Sequence, residues 1–142
     1  MNNQHAGNHA RYVPLWHFVT PTLILAVLIG SIINFVNAAK DNRYSASLLI
    51  VVSLLLAIIW WYERVFALKA QDRAIRAEEN IRHFALTGKL LDKQLRLGQI
   101  IALRFAADEE FPALAKKAVE EKLSSKQIKA AITNWRGDFH RV

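Results

Sequence analysis

The sequence predicts an all-α protein: a transmembrane helical hairpin whose long second helix continues into a small cytoplasmic helical domain. Three observations support this fold class. No Asp, Glu, Lys or Arg stands between Arg11 and Lys40, and none stands between Arg43 and Glu63. A bilayer core about 30 Å thick requires roughly 20 apolar helical residues to cross it, which both stretches supply. After Glu63, apolar residues recur with helical spacing among many charges.

The predicted hairpin comprises residues 15–62, with spans at about 17–39 and 44–62, and it follows a flexible tail at 1–14. Antiparallel spans bring the start of the first and the end of the second to one membrane face. Aromatic residues cluster at both of these ends, as the aromatic belt of a membrane interface requires: Tyr12, Trp16, Phe18, Trp60, Trp61 and Tyr62. The first span is interpreted as a retained anchor. The alternative is a signal peptide cleaved near residues 36–38.

Small and polar residues recur on one face of each span. They are Ala26, Gly30 and Asn34 on the first span, and Ser53 and Ala57 on the second. Apolar association contributes little within lipid, so close backbone approach over small residues matters more for helix packing. We therefore expect the two faces to meet, with Gly30 and Ser53 near mid-membrane and a hydrogen bond from Asn34 across the hairpin.

Positive charge is concentrated after the second span. Residues 63–142 carry a net charge of +5, whereas residues 1–62 carry +2. The positive-inside rule therefore places both termini in the cytoplasm. A basic domain beside a bilayer is expected to contact anionic headgroups. The residues chosen for this contact are Lys69, Arg73, Arg76 and Arg104.

The basic domain at 63–142 is predicted to begin with a stalk helix at 63–87 that continues the second span. Gly88 should end this helix, because glycine adopts the left-handed conformation that often follows a helix C-terminus. The stalk has an apolar stripe and an opposite, solvated charged face. The stripe contains Phe66, Ala70, Ala74, Ala77, Ile81 and Phe84, and the charged face contains Lys69, Arg73, Arg76 and Glu79.

Three shorter helices are predicted to complete the domain, at about 97–107, 109–122 and 125–136. Asp108 is the expected N-cap of the second of these helices. Ser124 and Gln127 have the spacing of a capping box for the third.

No group of residues in the sequence predicts catalysis. The acidic run at 108–110 is explained as a helix start rather than an acid–base pair. The chain has no cysteine, and His5 and His9 lack a third ligand, so no metal site is expected. His17 has no histidine in the second span with which to ligate haem. We expect no cofactor and no enzymatic activity. Nucleic acid is disfavoured as a partner, since helix 125–136 offers no helix-turn-helix glycine turn and the domain offers no stacking platform.

Three segments carry a family resemblance. They are RYVPLWHF at 11–18, AQDRAIRAEENIRHFALTGKLL at 70–91 and IIALRFAADEEFPALAKKAVEEKLSSKQIKAAITNWR at 100–136. Together they resemble a bacterial family of small two-span membrane proteins known only as domain of unknown function 6526. The resemblance covers nearly the whole chain. It implies a multi-pass protein of the bacterial inner membrane and implies no catalytic residue.

The sequence thus predicts a membrane-anchored, non-enzymatic interaction module. Its expected partners are the lipid bilayer and either another membrane protein or a second copy of the chain. The alternative is an accessory subunit of a larger membrane complex, such as a transporter or a respiratory assembly.

Overall fold

The computed structural model describes His5 and residues 12–138, and every regular element in that part of the chain is a helix. The described chain divides into two compact units, residues 12–67 and residues 68–138. Most of the predicted tail at 1–14, including His9, lies outside the described residues, as does Arg11.

The first unit is a pair of helices joined by a short turn. A π-helical turn at Leu15–Val19 leads into helix α1, Thr20–Asn37. Pro21 is the second residue of α1, directly after the π-helical turn, and it has no N–H to donate to a carbonyl of that turn. After a 3₁₀ turn at Lys40–Asn42, helix α2 begins at Arg43.

Helix α2, Arg43–Thr87, is 45 residues long and continuous. Its residues 43–67 belong to the first unit, and its residues 68–87 belong to the second. Gly88 follows with a φ of +72°, and its N–H donates to the Phe84 carbonyl at 2.8 Å. This is the helix C-terminus that the glycine predicted.

The second unit is built from residues 68–87 of α2 and three short helices: α3, Leu97–Leu103, α4, Phe111–Glu120, and α5, Ser125–Ala131. Apolar side chains from the loop before α3 and from the three short helices form one contiguous core. Its members are Leu91, Leu95, Ile100, Ala102, Leu103, Ala106, Phe111, Leu114, Ala115, Ala118 and Ile128. The capping box at Ser124 and Gln127 is present, with the Ser124 N–H donating to Gln127 Oε1 at 2.8 Å.

Helix α4 begins later than predicted, at Phe111, and its N-cap is Glu110 rather than Asp108. The reason lies in tertiary contacts, because both acidic side chains are bonded elsewhere. Asp108 accepts from Arg82, and Glu110 accepts from Thr133 and Asn134. The predicted end of α3 at residue 107 is also corrected, since the helix ends at Leu103.

Helix α5 ends at Ala131, five residues before the predicted end at residue 136. The following segment lies against residues 105–107. The Ala107 N–H donates to the Asn134 carbonyl at 3.1 Å, and the Arg136 N–H donates to the Phe105 carbonyl at 2.7 Å. The Trp135 ring stacks on the Phe105 ring with centroids 4.6 Å apart. These contacts replace the last turn of the predicted helix.

Candidate functional site

Three of the four residues predicted to contact the membrane surface form one exposed flank of α2. Lys69, Arg73 and Arg76 are all exposed. At about 100° per residue, their side chains fall within roughly one sixth of the helix circumference. We call this set the basic flank.

Arg104, the fourth residue, lies in a different environment. Its side chain is only 9% exposed, and its Nη1 lies 3.2 Å from Asp138 Oδ2. Its guanidinium group also lies over the Phe105 ring, 4.6 Å from the centroid. The prediction of lipid contact by Arg104 is therefore wrong, because this side chain is committed to contacts inside its own unit.

Within the second unit, α2 buries the face opposite to its apolar stripe. Ile75 and Glu79 are both 6% exposed. The stripe is exposed instead, with Ile81 at 68% and Phe84 at 54%. The exposed stripe in this unit consists of Ala70, Ala74, Ala77, Ile81 and Phe84, and we call it the α2 stripe. The expectation that Glu79 is solvated is thus overturned.

The side-chain contacts of Arg82 explain why this face of α2 is buried. Its Nη1 donates to Glu79 Oε2 at 2.9 Å, its Nε to Asp108 Oδ1 at 2.7 Å, and its Nη2 to the Ala106 carbonyl at 2.7 Å. The guanidinium plane lies 4.4 Å from the centroid of the Phe111 ring. A buried charge is tolerated when hydrogen bonds and a counter-charge replace its water, and Arg82 has both. Sequence reasoning missed this residue, although its i,i+3 spacing from Glu79 was a visible signal.

Glu110, at the start of α4, forms hydrogen bonds with the segment after α5. Its carboxylate accepts from the Thr133 N–H at 3.1 Å, the Thr133 hydroxyl at 2.7 Å and the Asn134 N–H at 3.1 Å. Burial raises the pKa of Glu110, but these hydrogen bonds lower it by more, so the pKa lies below its ordinary value. The acidic run therefore has structural partners here, as Asp108 does with Arg82.

A groove of about 350 Å³ runs beside α4, and residues from the end of α2, the loop after it and α4 line it, among them His83, Leu90 and Lys116. The Nδ1 atom of His83 lies 2.7 Å from the Lys89 carbonyl oxygen, so this nitrogen is occupied by a backbone contact. Across the described residues, no group of three or more His, Cys, Asp or Glu is placed to hold a metal ion. Apolar side chains such as Leu90 line much of the groove, and the described residues around it form no recognisable catalytic or metal-binding group.

In the first unit, the contact between α1 and α2 passes through serines. Ser31 Oγ lies 3.2 Å from Ser53 Oγ, and both residues are buried. Each hydroxyl also lies 2.7 Å from the carbonyl four residues earlier, which it can donate to instead. Because a hydroxyl has a single hydrogen, the serine that donates across the pair gives up its bond to that carbonyl. Such hydroxyl contacts let two helices approach closely.

The face predicted for α1 is displaced from this contact. Ser53 is buried and Ala57 is half-buried, but Ala26, Gly30 and Asn34 are exposed. Apart from neighbouring residues and its own helix backbone, no described atom lies within 4 Å of where a Gly30 Cβ would stand. Ser31, one residue further on, makes the contact expected of Gly30.

An aromatic cluster joins the other ends of the two helices in the first unit. The Trp16 and Trp60 rings stack with centroids 4.8 Å apart, and Trp60 Nε1 donates to the Trp16 carbonyl at 3.2 Å. The Arg64 guanidinium lies 5.0 Å from the Trp16 ring centroid. Aromatic rings with one cation are typical of a membrane interface. His17 Nδ1 lies 2.9 Å from the Val13 carbonyl oxygen.

Comparison with known protein families yields a match over the whole chain. A model described as a family of unknown function, DUF6526, matches residues 1–142. No curated protein and no solved structure matches the chain.

Proposed function

The chain belongs to the DUF6526 family of unknown function, and on that premise we propose that it is a membrane-anchored, non-enzymatic interaction module of the bacterial cytoplasmic membrane. Two helices anchor it, and the basic flank of α2 contacts anionic headgroups. The observation that carries the proposal is the position of this flank, which begins seven residues after Tyr62 on the same continuous helix as the second apolar span.

The exposure of the apolar helices supports insertion in a membrane. The segments Leu15–Asn37 and Lys40–Thr87 are each long and apolar enough to cross a bilayer. In the most apolar 18-residue windows of these two segments, only 6% and 11% of the residues are buried. A core helix of a soluble protein would bury most of such a window, so surrounding lipid is the better explanation of this exposure.

The geometry of the basic flank supports headgroup contact. At about 1.5 Å per residue, Lys69 lies roughly 10 Å along the helix from Tyr62, within about one Debye length of an interface at that residue. Arg73 and Arg76 follow at roughly 16 and 21 Å, so Lys69 is the flank residue nearest to the headgroups. Each Lys or Arg near an anionic surface contributes about 1 kcal/mol. In the proposed topology both termini lie in the cytoplasm, where the inner leaflet would supply that surface.

The test uses the full chain in a neutral detergent with added phosphatidylglycerol. We expect this lipid to raise the unfolding temperature of the natural chain, and we expect K69E/R76E to lose most of the increase. A matched control, K117E/K126E, reverses two exposed charges on α4 and α5 and should keep the increase. Equal responses of the two variants would reject the headgroup contact.

The second candidate function is an accessory subunit of a larger membrane complex. Its specific support is the exposed face of α1 that contains Ala26, Gly30 and Asn34, since such faces accept a partner helix in lipid. Extraction in a gentle detergent separates the two functions. A complex would migrate as a large assembly that Gly30→Leu disrupts, whereas the module alone would migrate as a small species that this substitution leaves unchanged.

A further inference from the structure

We propose that the α2 stripe pairs with the same stripe of a second copy, forming a parallel two-helix coiled coil. The stripe residues follow one another at spacings of four, three, four and three: Ala70, Ala74, Ala77, Ile81 and Phe84. This is the a/d pattern of a coiled coil. Ala74 and Ile81 take position a, and Ala70, Ala77 and Phe84 take position d.

The stripe is available for such pairing. Its five residues are exposed, while the opposite face of α2 is occupied by its own unit through Ile75, Glu79 and Arg82. Ile81 and Phe84 are 68% and 54% exposed. Contact of these apolar side chains with water is unfavourable, so burying them against a second helix would be favourable. The small alanines at three of the five positions allow two helix axes to approach closely.

Charge complementarity identifies the occupant as a second copy in parallel orientation. In this heptad register Arg73 takes position g, and Glu78 takes position e of the next heptad. In a parallel pair, a g residue faces the e residue five positions further along the partner, and opposite charges there set the orientation. Arg73 of each copy then faces Glu78 of the other, twice by symmetry. In an antiparallel pair g residues face g residues and e residues face e residues, so this pairing of Arg73 with Glu78 would be lost.

Both charged residues are available for this contact. Arg73 and Glu78 are exposed, and neither forms an ion pair with another described residue. The parallel orientation rests on the proposed membrane anchoring, because copies inserted the same way through α1 and α2 present α2 in the same direction. Confinement to a membrane also raises the effective concentration of the second copy, which helps so short a coiled coil to form.

The absence of cysteine from the chain makes single-cysteine crosslinking in membranes a direct test. Ala77→Cys should form a disulfide-linked dimer under mild oxidation, because facing d residues satisfy the requirement that the two Cα atoms lie within about 7 Å. Arg76→Cys, one residue away and pointing off the stripe, is the matched control. Equal crosslinking of the two variants, or none of either, would overturn the proposal.

Charge reversal tests the register in the Ala77→Cys background. Either R73E or E78R alone should lower the initial rate of crosslinking by about tenfold, since each replaces two attractive pairs by two repulsive ones. The double variant R73E/E78R should restore the rate, because it recreates the pairs with the signs exchanged. A double variant as slow as the single variants would overturn the parallel register. Carbonate extraction of the same membranes tests anchoring separately from pairing.

Discussion

Arg82 is held by contacts that replace the water around its charge. Its guanidinium group has two carboxylates and a backbone carbonyl as acceptors, and an aromatic ring covers one face. Only 12% of the side chain is exposed. Glu79, its acidic partner on the same helix, would be a buried and unpaired charge without it. Arginines on one helix thus differ in environment: Arg82 is largely buried in contacts with its own unit, whereas Arg73 and Arg76 are exposed.

Replacing Arg82 with Gln should lower the free energy of unfolding by about 3 kcal/mol, because the substitution leaves the buried Glu79 carboxylate without its counter-charge. Denaturant unfolding of the second unit, followed by circular dichroism in detergent, measures the change. Arg76→Gln is the control and should alter stability by about 0.5 kcal/mol or less. The double variant E79Q/R82Q should lose less than the sum of its single variants. If Arg82→Gln lowers the free energy of unfolding by no more than Arg76→Gln does, the contacts of Arg82 do not stabilise the second unit.

At the scale of elements, helix limits follow local sequence where the chain supplies its own cap. Gly88 ends α2, and Ser124 with Gln127 starts α5, both as the sequence predicts. Where long-range partners compete, the local prediction fails. Asp108 is the N-cap that the sequence predicts for α4, but its side chain accepts a hydrogen bond from Arg82 instead. Residues 132–136 are predicted to be helical, but they form hydrogen bonds with residues 105–107 instead.

Gly30 within α1 and Gly88 directly after α2 should respond oppositely to substitution by alanine. Gly88→Ala should destabilise the second unit by about 1 kcal/mol, because its φ of +72° strains any residue with a Cβ. Gly30→Ala should be neutral or stabilising, since the position is open and alanine favours a helix more than glycine does. Thermal unfolding of both variants in one detergent measures the difference. A marked loss from Gly30→Ala would instead indicate that a partner packs over this face of α1.

At the scale of the whole molecule, the proposed topology is open to direct measurement. Asn42→Cys in the interhelical turn should react with a membrane-impermeant maleimide added to intact cells. Lys126→Cys, exposed in α5, should react only after the cells are lysed. The positive-inside rule gives this result, because most of the Lys and Arg flanking the spans lie on the side of the termini. The reverse labelling pattern would reject the topology, and release by carbonate would reject insertion itself.

The sequence by itself determined the helical class, the two apolar segments and the helix ends that have local caps. These features depend on neighbours within one or two turns, and such neighbours can be read from spacing. Only the tertiary structure decided that Ser31 rather than Gly30 meets Ser53, that Arg104 lies within its own unit, and that α2 buries Glu79 and exposes its stripe. Those choices depend on partners distant in the chain, such as Asp108 for Arg82. A helix with two usable faces cannot reveal which one is buried until its partners are in place.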